Sequence, residues 1–324
     1  MGQLIKLQDY VSRYEQDIFS YPSRFVRLKK QQWEKIRITW EKGSEPSTLI
    51  EEPTLPDWYE EEKEPLFTRI KGFLKRGTSE EESIEPDEKI NKEEETSFSF
   101  TPTITSDANT IDELKQHFLE QLFTFQMKWA STTITEKSFV TKRYYFDEQL
   151  KYFLQRFPDT FLVLYNPIFL LKKAPVEVEI ILITPTDVWC LSFLEKEELA
   201  VFIGSNERFW TKRNQEQEEK VLNPLLALNR TEKIVKQILN MYDIPLPIRK
   251  AVLTRNGYID YPSAPYDTQF IEKRNYDKWF QHMRGNRTPL KHVQLKAAQV
   301  LLQYCQTTSI RRLEWMSDSY EESE

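Results

Sequence analysis

A chain of 324 residues with 39% hydrophobic content, including 20 Phe, 15 Tyr and 8 Trp, has the material for a substantial buried core. Only 7 Gly are present, and neither GxGxxG nor GxxxxGK[ST] occurs, which excludes the glycine-rich phosphate loops of dinucleotide-binding and P-loop proteins. The net charge of −6 is unevenly spread: residues 1–40 carry about +4, residues 41–110 about −11 and residues 111–317 about +5. Two cysteines, Cys190 and Cys305, speak for a reducing compartment rather than a disulfide framework. No apolar run approaches the roughly 18 residues that span a bilayer, and the first residues lack the apolar centre of a signal peptide. The expectation is a cytoplasmic protein.

Residues 1–40 read as a basic, amphipathic helical arm. Arg24, Arg27, Lys29, Lys30, Lys35 and Arg37 interleave with Phe25, Trp33, Ile36 and Trp40, whose spacing predicts an apolar stripe docking on the main domain. The basic face also suits nucleic acid or an anionic surface. Residues 41–110 form an acidic linker with three Glu triplets (60–62, 80–82 and 93–95) and too few apolar groups to offset the entropy of ordering. Within it, residues 66–76 repeat apolar side chains at helical spacing opposite a basic face. That island is too short to be stable alone; it fits a protein-partner or membrane-touching element, or a tether packing on its own domain.

The folded region is placed at 111–310, followed by an acidic tail, 311–324. Thr110 with Glu113 three residues on predicts a capped helix over 111–128, and a second helix is expected over 144–156. Strands are expected at 160–165, 168–172, 177–184, 188–194 and 199–203. Asn223-Pro224 starts a helix that ends before Pro245; a strand at 251–254 and helices over 275–283 and 289–305 complete the pattern. Strands flanked by helices predict an α/β fold with a central mixed sheet buried on both faces.

The hairpin from Glu177 to Leu194 carries the strongest functional signal. It reads as two apolar strands joined at Thr184-Pro185-Thr186-Asp187. Pairing Ile183 with Val188 sets Glu179 opposite Ser192, and Glu177 opposite Leu194. Over about 141–262 the sequence resembles the nuclease-related domain (NERD) family, a bacterial branch of the restriction-endonuclease-like, PD-(D/E)xK superfamily. The family's Gln-Ile-Asp falls on Glu177-Val178-Glu179, and its Glu-x-Lys on Ser192-Phe193-Leu194. Its later glycine, tryptophan and Asn-Pro are met by Gly204, Trp210 and Asn223-Pro224, while Ala227 stands where a glutamine is usual.

The resemblance implies a restriction-endonuclease-like core and, in active members, carboxylates that hold Mg²⁺ or Mn²⁺ beside a lysine. Asp147 or Glu148 would be the helical acid and Glu179 the strand ligand, so Asp147 and Glu179 are the candidate metal ligands. Ser192 and Leu194 replace the remaining acid and the lysine. Two readings therefore stand: a degenerate scaffold that binds nucleic acid or a protein partner without a metal, or an active nuclease rebuilt from Asp147, Glu177, Glu179 and Lys196. A third is an adaptor acting through residues 66–76. In the degenerate reading Glu177 and Glu179 pair with Lys172, Lys173 or Arg143. His117, His282 and His292 show no metal-ligand spacing. Arg255 and Tyr258, in an aromatic loop after the last strand, are candidates for stacking on unpaired bases, beside the alternative of a loop packed over the core edge.

Overall fold

The computed structural model describes residues 1–42, 100–103, 108–195, 198–214 and 217–312. In chain order these form β1 (Gln3–Leu7), α1 (Tyr21–Glu41), α2 (Ile111–Trp129), β2 (Glu136–Lys137), α3 (Glu148–Arg156), β3 (Leu162–Tyr165), β4 (Ile168–Leu171), β5 (Ala174–Glu177), β6 (Ile180–Ile183) and β7 (Val188–Phe193). They continue with β8 (Val201–Ile203), β9 (Phe209–Asn214), β10 (Gln217–Leu222), α4 (Pro224–Met241), β11 (Ile248–Leu253), β12 (Tyr258–Asp260), β13 (Thr268–Ile271), α5 (Tyr276–Arg284), α6 (His292–Gln303) and β14 (Ile310–Arg311).

The apolar runs of β3, β6 and β7 lie in the middle of a mixed six-stranded sheet of order β1-β3-β6-β7-β11-β13, covered by helices on both faces. Strand alternation sorts their side chains into two cores. Ile181, Ile183, Val188 and Cys190 pack with Leu228 and Val235 of α4 and Leu301 of α6. Ile180, Leu182, Trp189 and Leu191 pack with Leu150 and Phe153 of α3 and Trp279 of α5. The capping box expected at Thr110 is formed: its hydroxyl accepts from Glu113 N–H at 3.2 Å, and the Glu113 carboxylate accepts from Thr110 N–H at 3.2 Å.

Residues 1–40 are helical only in part, which corrects the reading of this segment. Gln3–Leu7 is a fully buried strand running parallel to β3, with Leu4 beside Val163 and Leu7 beside Tyr165. An apolar run this short has no periodicity to separate strand from helix. Its polar members are satisfied internally: Gln3 Nε2 donates to the carbonyls of Asp159 (2.6 Å) and Pro22 (3.2 Å). The helix that follows, α1, docks as its stripe predicts. Phe25 and Ile36 are buried, and Trp40 Nε1 donates to the Ala108 carbonyl at 2.9 Å.

Two further differences concern strands. The expected strand 177–184 is divided into β5, which pairs with β4, and β6, which pairs with β3 and β7. The β9–β10 hairpin has no apolar alternation to announce it; it is held by cross-strand ion pairs, Lys212 with Glu219 (2.6 Å) and Arg213 with Glu218 (2.7 Å). It belongs to a second sheet, β10-β9-β8-β12. The 66–76 island, Lys196 and the end of the acidic tail lie outside the described residues.

Candidate functional site

The β6–β7 hairpin has the register its sequence implies: Ile183 pairs with Val188 and Ile180 with Leu191. Continuing one step sets Glu179 across from Ser192, whose hydroxyl lies near enough to favour the charged carboxylate. Helix α4 closes this end of the hairpin. The Glu179 N–H donates to Thr231 Oγ1 at 3.0 Å, and the Thr231 hydroxyl donates to the Ala227 carbonyl at 2.9 Å. Arg230, one residue earlier, donates to the Glu177 carbonyl at 3.1 Å and adds a positive charge near Glu179.

Burial pushes the Glu179 carboxyl above the ordinary glutamate range, and the Ser192 hydroxyl and Arg230 only partly offset that, while Glu177 adds to the rise. A carboxyl raised in the folded state stabilises the fold fully below its unfolded pKa; this contribution is lost as pH rises through the folded one. Glu179→Gln is therefore expected to gain stability relative to the parent at pH 7, with the gain shrinking toward an acidic pH near the ordinary value of 4.5. Thermal melts at the two pH values check it; an equal loss at both would count against a strained carboxylate.

The other site residues do not gather at Glu179. Asp147 caps α3, accepting from Leu150 N–H at 3.0 Å, and its second oxygen accepts from the Tyr165 hydroxyl at 2.9 Å. Tyr165 belongs to the core between the sheet and α3, whereas Glu179 and Ser192 share the parity of Ile181 and Cys190, which face α4. The sheet thus separates Asp147 from Glu179. Glu148 is exposed at the start of α3, and Glu177 is exposed on β5 beside Ile168. Leu194 packs against the α4-side core and donates its N–H to the Leu253 carbonyl at 2.9 Å. Lys196 is outside the described residues. Among the described residues no three His, Cys, Asp or Glu side chains converge as a metal-binding set. One carboxylate facing a hydroxyl and an arginine does not fit a hard divalent cation, which needs several anionic oxygens.

The expected bases are not the partners of Glu179. Lys172 and Lys173 occupy an exposed turn with φ of 49° and 69°, and Arg143 donates to the Tyr144 hydroxyl at 2.7 Å. Sequence reading missed Arg230 and Thr231, because parity tells which face Glu179 takes but not which helix covers it. Arg255 is held by Glu195 through two hydrogen bonds of 2.5 Å and lies 4.6 Å from the Tyr152 ring centroid. Tyr258 lies under the Arg274 guanidinium, 5.4 Å from its ring centroid.

The letters shared with the nuclease family form a bracket between the second sheet and α4. Trp210 is buried, donates from Nε1 to the Ser205 carbonyl at 2.9 Å and packs edge-on against Tyr261 at 5.4 Å. At Gly204 a Cβ would come within 2.6 Å of the Tyr261 ring, so only glycine admits that ring. Asn223 accepts from Leu225 N–H at 3.0 Å to cap α4, and donates to the Glu207 carbonyl at 2.8 Å.

A mixed sheet flanked by helices, with an antiparallel hairpin carrying an acid at its open end, defines a nuclease-like scaffold. The nuclease-related domain (NERD) model matches residues 142–254, so this segment is similar to a NERD domain. A curated relative, the RNA 2',3'-cyclic phosphodiesterase of Geobacillus stearothermophilus, is 36% identical over 126 residues, which are 39% of this chain and 36% of that protein. The chain thus spans about a third of the relative's length. No solved structure matches it. Among the described residues, no helix is long and apolar enough to cross a membrane.

Proposed function

We propose that this protein is a nuclease-fold scaffold that binds nucleic acid without hydrolysing it. The observation that carries the reading is that Glu179 has the Ser192 hydroxyl and the Arg230 charge near it where two carboxylates and a lysine would be needed, with Asp147 across the sheet. A hydroxyl is a weak ligand for a hard cation, and a leucine at 194 offers no charge to a phosphorane-like transition state. The name of the curated relative supports RNA as the first nucleic acid to offer.

The test incubates the full chain with single- and double-stranded RNA and DNA, and with an RNA oligonucleotide ending in a 2',3'-cyclic phosphate. Each is tried with Mg²⁺, Mn²⁺ or EDTA, beside Glu179→Ala. The expected result is retention of labelled RNA with every substrate intact. Metal-dependent cleavage that disappears in Glu179→Ala would establish a rebuilt active site. Opening of the cyclic phosphate would instead extend the relative's chemistry to this chain.

A further inference from the structure

A second charged feature lies at the opposite end of the β6–β7 hairpin from Glu179. Gln294 of α6 donates both to the Thr160 carbonyl (2.6 Å) and to the Ile183 carbonyl (3.0 Å), tying the α3–β3 connection to the turn end of β6. Outside that connection opens a cleft of about 510 Å³, with walls from α1, α2, the end of α3 and the segment after α5. Five exposed cations line it: Lys30, Lys115, Arg156, Arg284 and Arg287. None of the five is paired with a carboxylate among the described residues. The acid on the wall, Asp159, is already engaged by Lys29.

Five like charges converging on a concavity repel one another and focus a positive potential into it. The energetic logic of such a site is completed by an anion of several charges. An aromatic surface sits within the same walls: Trp33 is half-buried, resting on buried Phe118 with ring centroids 5.4 Å apart. Phosphates along a chain together with an unstacked ring match that combination, since an aromatic side chain offers a stacking platform to any base.

We propose that this cleft is a single-stranded RNA-binding site, the arginines and lysines holding phosphates and Trp33 stacking a base. The proposal rests on the nucleic-acid reading above and adds its location, away from the hairpin acid. The same α1 that docks on the core through Phe25 and Ile36 supplies Lys30 and Trp33 to the site.

Fluorescence anisotropy of a labelled oligo(U) of about a dozen nucleotides, a length within the range that such single-strand sites cover, tests this on the full chain over a series of KCl concentrations. For about five phosphate contacts the logarithm of the binding constant should fall against that of salt with a slope of about −3.5. Arg284→Ala/Arg287→Ala should weaken binding roughly tenfold at 0.15 M salt and make the slope shallower by about 1.4. Trp33→Ala should weaken binding at least about fivefold and leave the slope unchanged, because stacking releases no counterions. The arginine pair lies outside the core, so its melting temperature serves as the folding control if Trp33→Ala is unstable. Absence of RNA binding by the parent overturns both this proposal and the nucleic-acid reading. Binding whose strength and slope are the same in the parent and both variants overturns the cleft alone. Tighter capture of a labelled polyglutamate of equal charge than of oligo(U) overturns RNA as the occupant.

Discussion

Lys6→Met is expected to lower the unfolding free energy by about 3–5 kcal/mol, the usual consequence of removing one partner from a buried ion pair. The Lys6 side chain is 0% exposed, and its Nζ reaches Glu15, the Tyr10 carbonyl (2.9 Å) and Thr307 Oγ1 (2.8 Å). Methionine fills the volume but leaves the Glu15 carboxylate without its counter-ion, with the neutral Thr307 hydroxyl still donating to it. Burial already holds that carboxyl above the ordinary range despite the lysine. Losing the lysine raises it further, so the deficit should be greatest at neutral pH and close as pH falls and Glu15 protonates. Chemical denaturation at neutral and acidic pH reads this directly. Lys6→Met/Glu15→Leu should recover most of the loss, because replacing a whole buried pair with apolar groups is often near neutral. A double variant as unstable as the single one would mean that packing, not the stranded charge, dominates.

The second large effect is expected from restoring an acid to the hairpin. Ser192 is 4% exposed and stands across from Glu179, whose carboxyl burial already pushes up. Ser192→Glu places a second carboxylate against the first, and two such groups resist simultaneous ionisation. The variant should lose about 3–5 kcal/mol at neutral pH through an uncompensated buried charge. Millimolar Mn²⁺ should return much of that loss to the variant while leaving the parent's melting temperature unchanged, since paired carboxylates hold a hard cation and a lone one does not. An equal Mn²⁺ shift in the parent would sink the degenerate reading. A variant indifferent to metal would show that the two positions do not face each other as ligands.

How far the sequence reaches depends on which physical signal each residue leaves. The β6–β7 register was legible because period-two alternation and a Pro-containing turn leave one pairing, Ile183 with Val188. The starts of α2 and α4 were legible because Thr110-x-x-Glu113 and Asn223-Pro224 are local chemistry. Other features had no local cause to read. Lys6 carries no signal of burial in the sequence; burial within β1 and its contacts with Tyr10, Glu15 and Thr307 make it a core cation. The charged β9–β10 hairpin is held by Lys212, Arg213, Glu218 and Glu219 instead of an apolar stripe. Asp147 and Glu179 each had plausible spacing, but which face of the sheet a capping residue approaches is set by the path of the whole chain. The family-like letters Gly204, Trp210 and Asn223 act through packing and capping, while Ser192 and Leu194 stand where the resemblance leads one to expect an acid and a lysine.

The clasp between β1 and the far end of the chain has a temporal consequence. Lys6 and Thr307 are 301 positions apart, and Tyr10 forms a bridge with Thr308. During synthesis from the N-terminus, β1 and the Glu15 that neutralises Lys6 are made well before the neighbouring β3, and longer still before Thr307. Until β3 is made, β1 waits as an unpaired strand with a free edge, exposed to mispairing. Closing loops this long is entropically slow, so the clasp between Lys6 and Thr307 is expected to be among the last contacts to form.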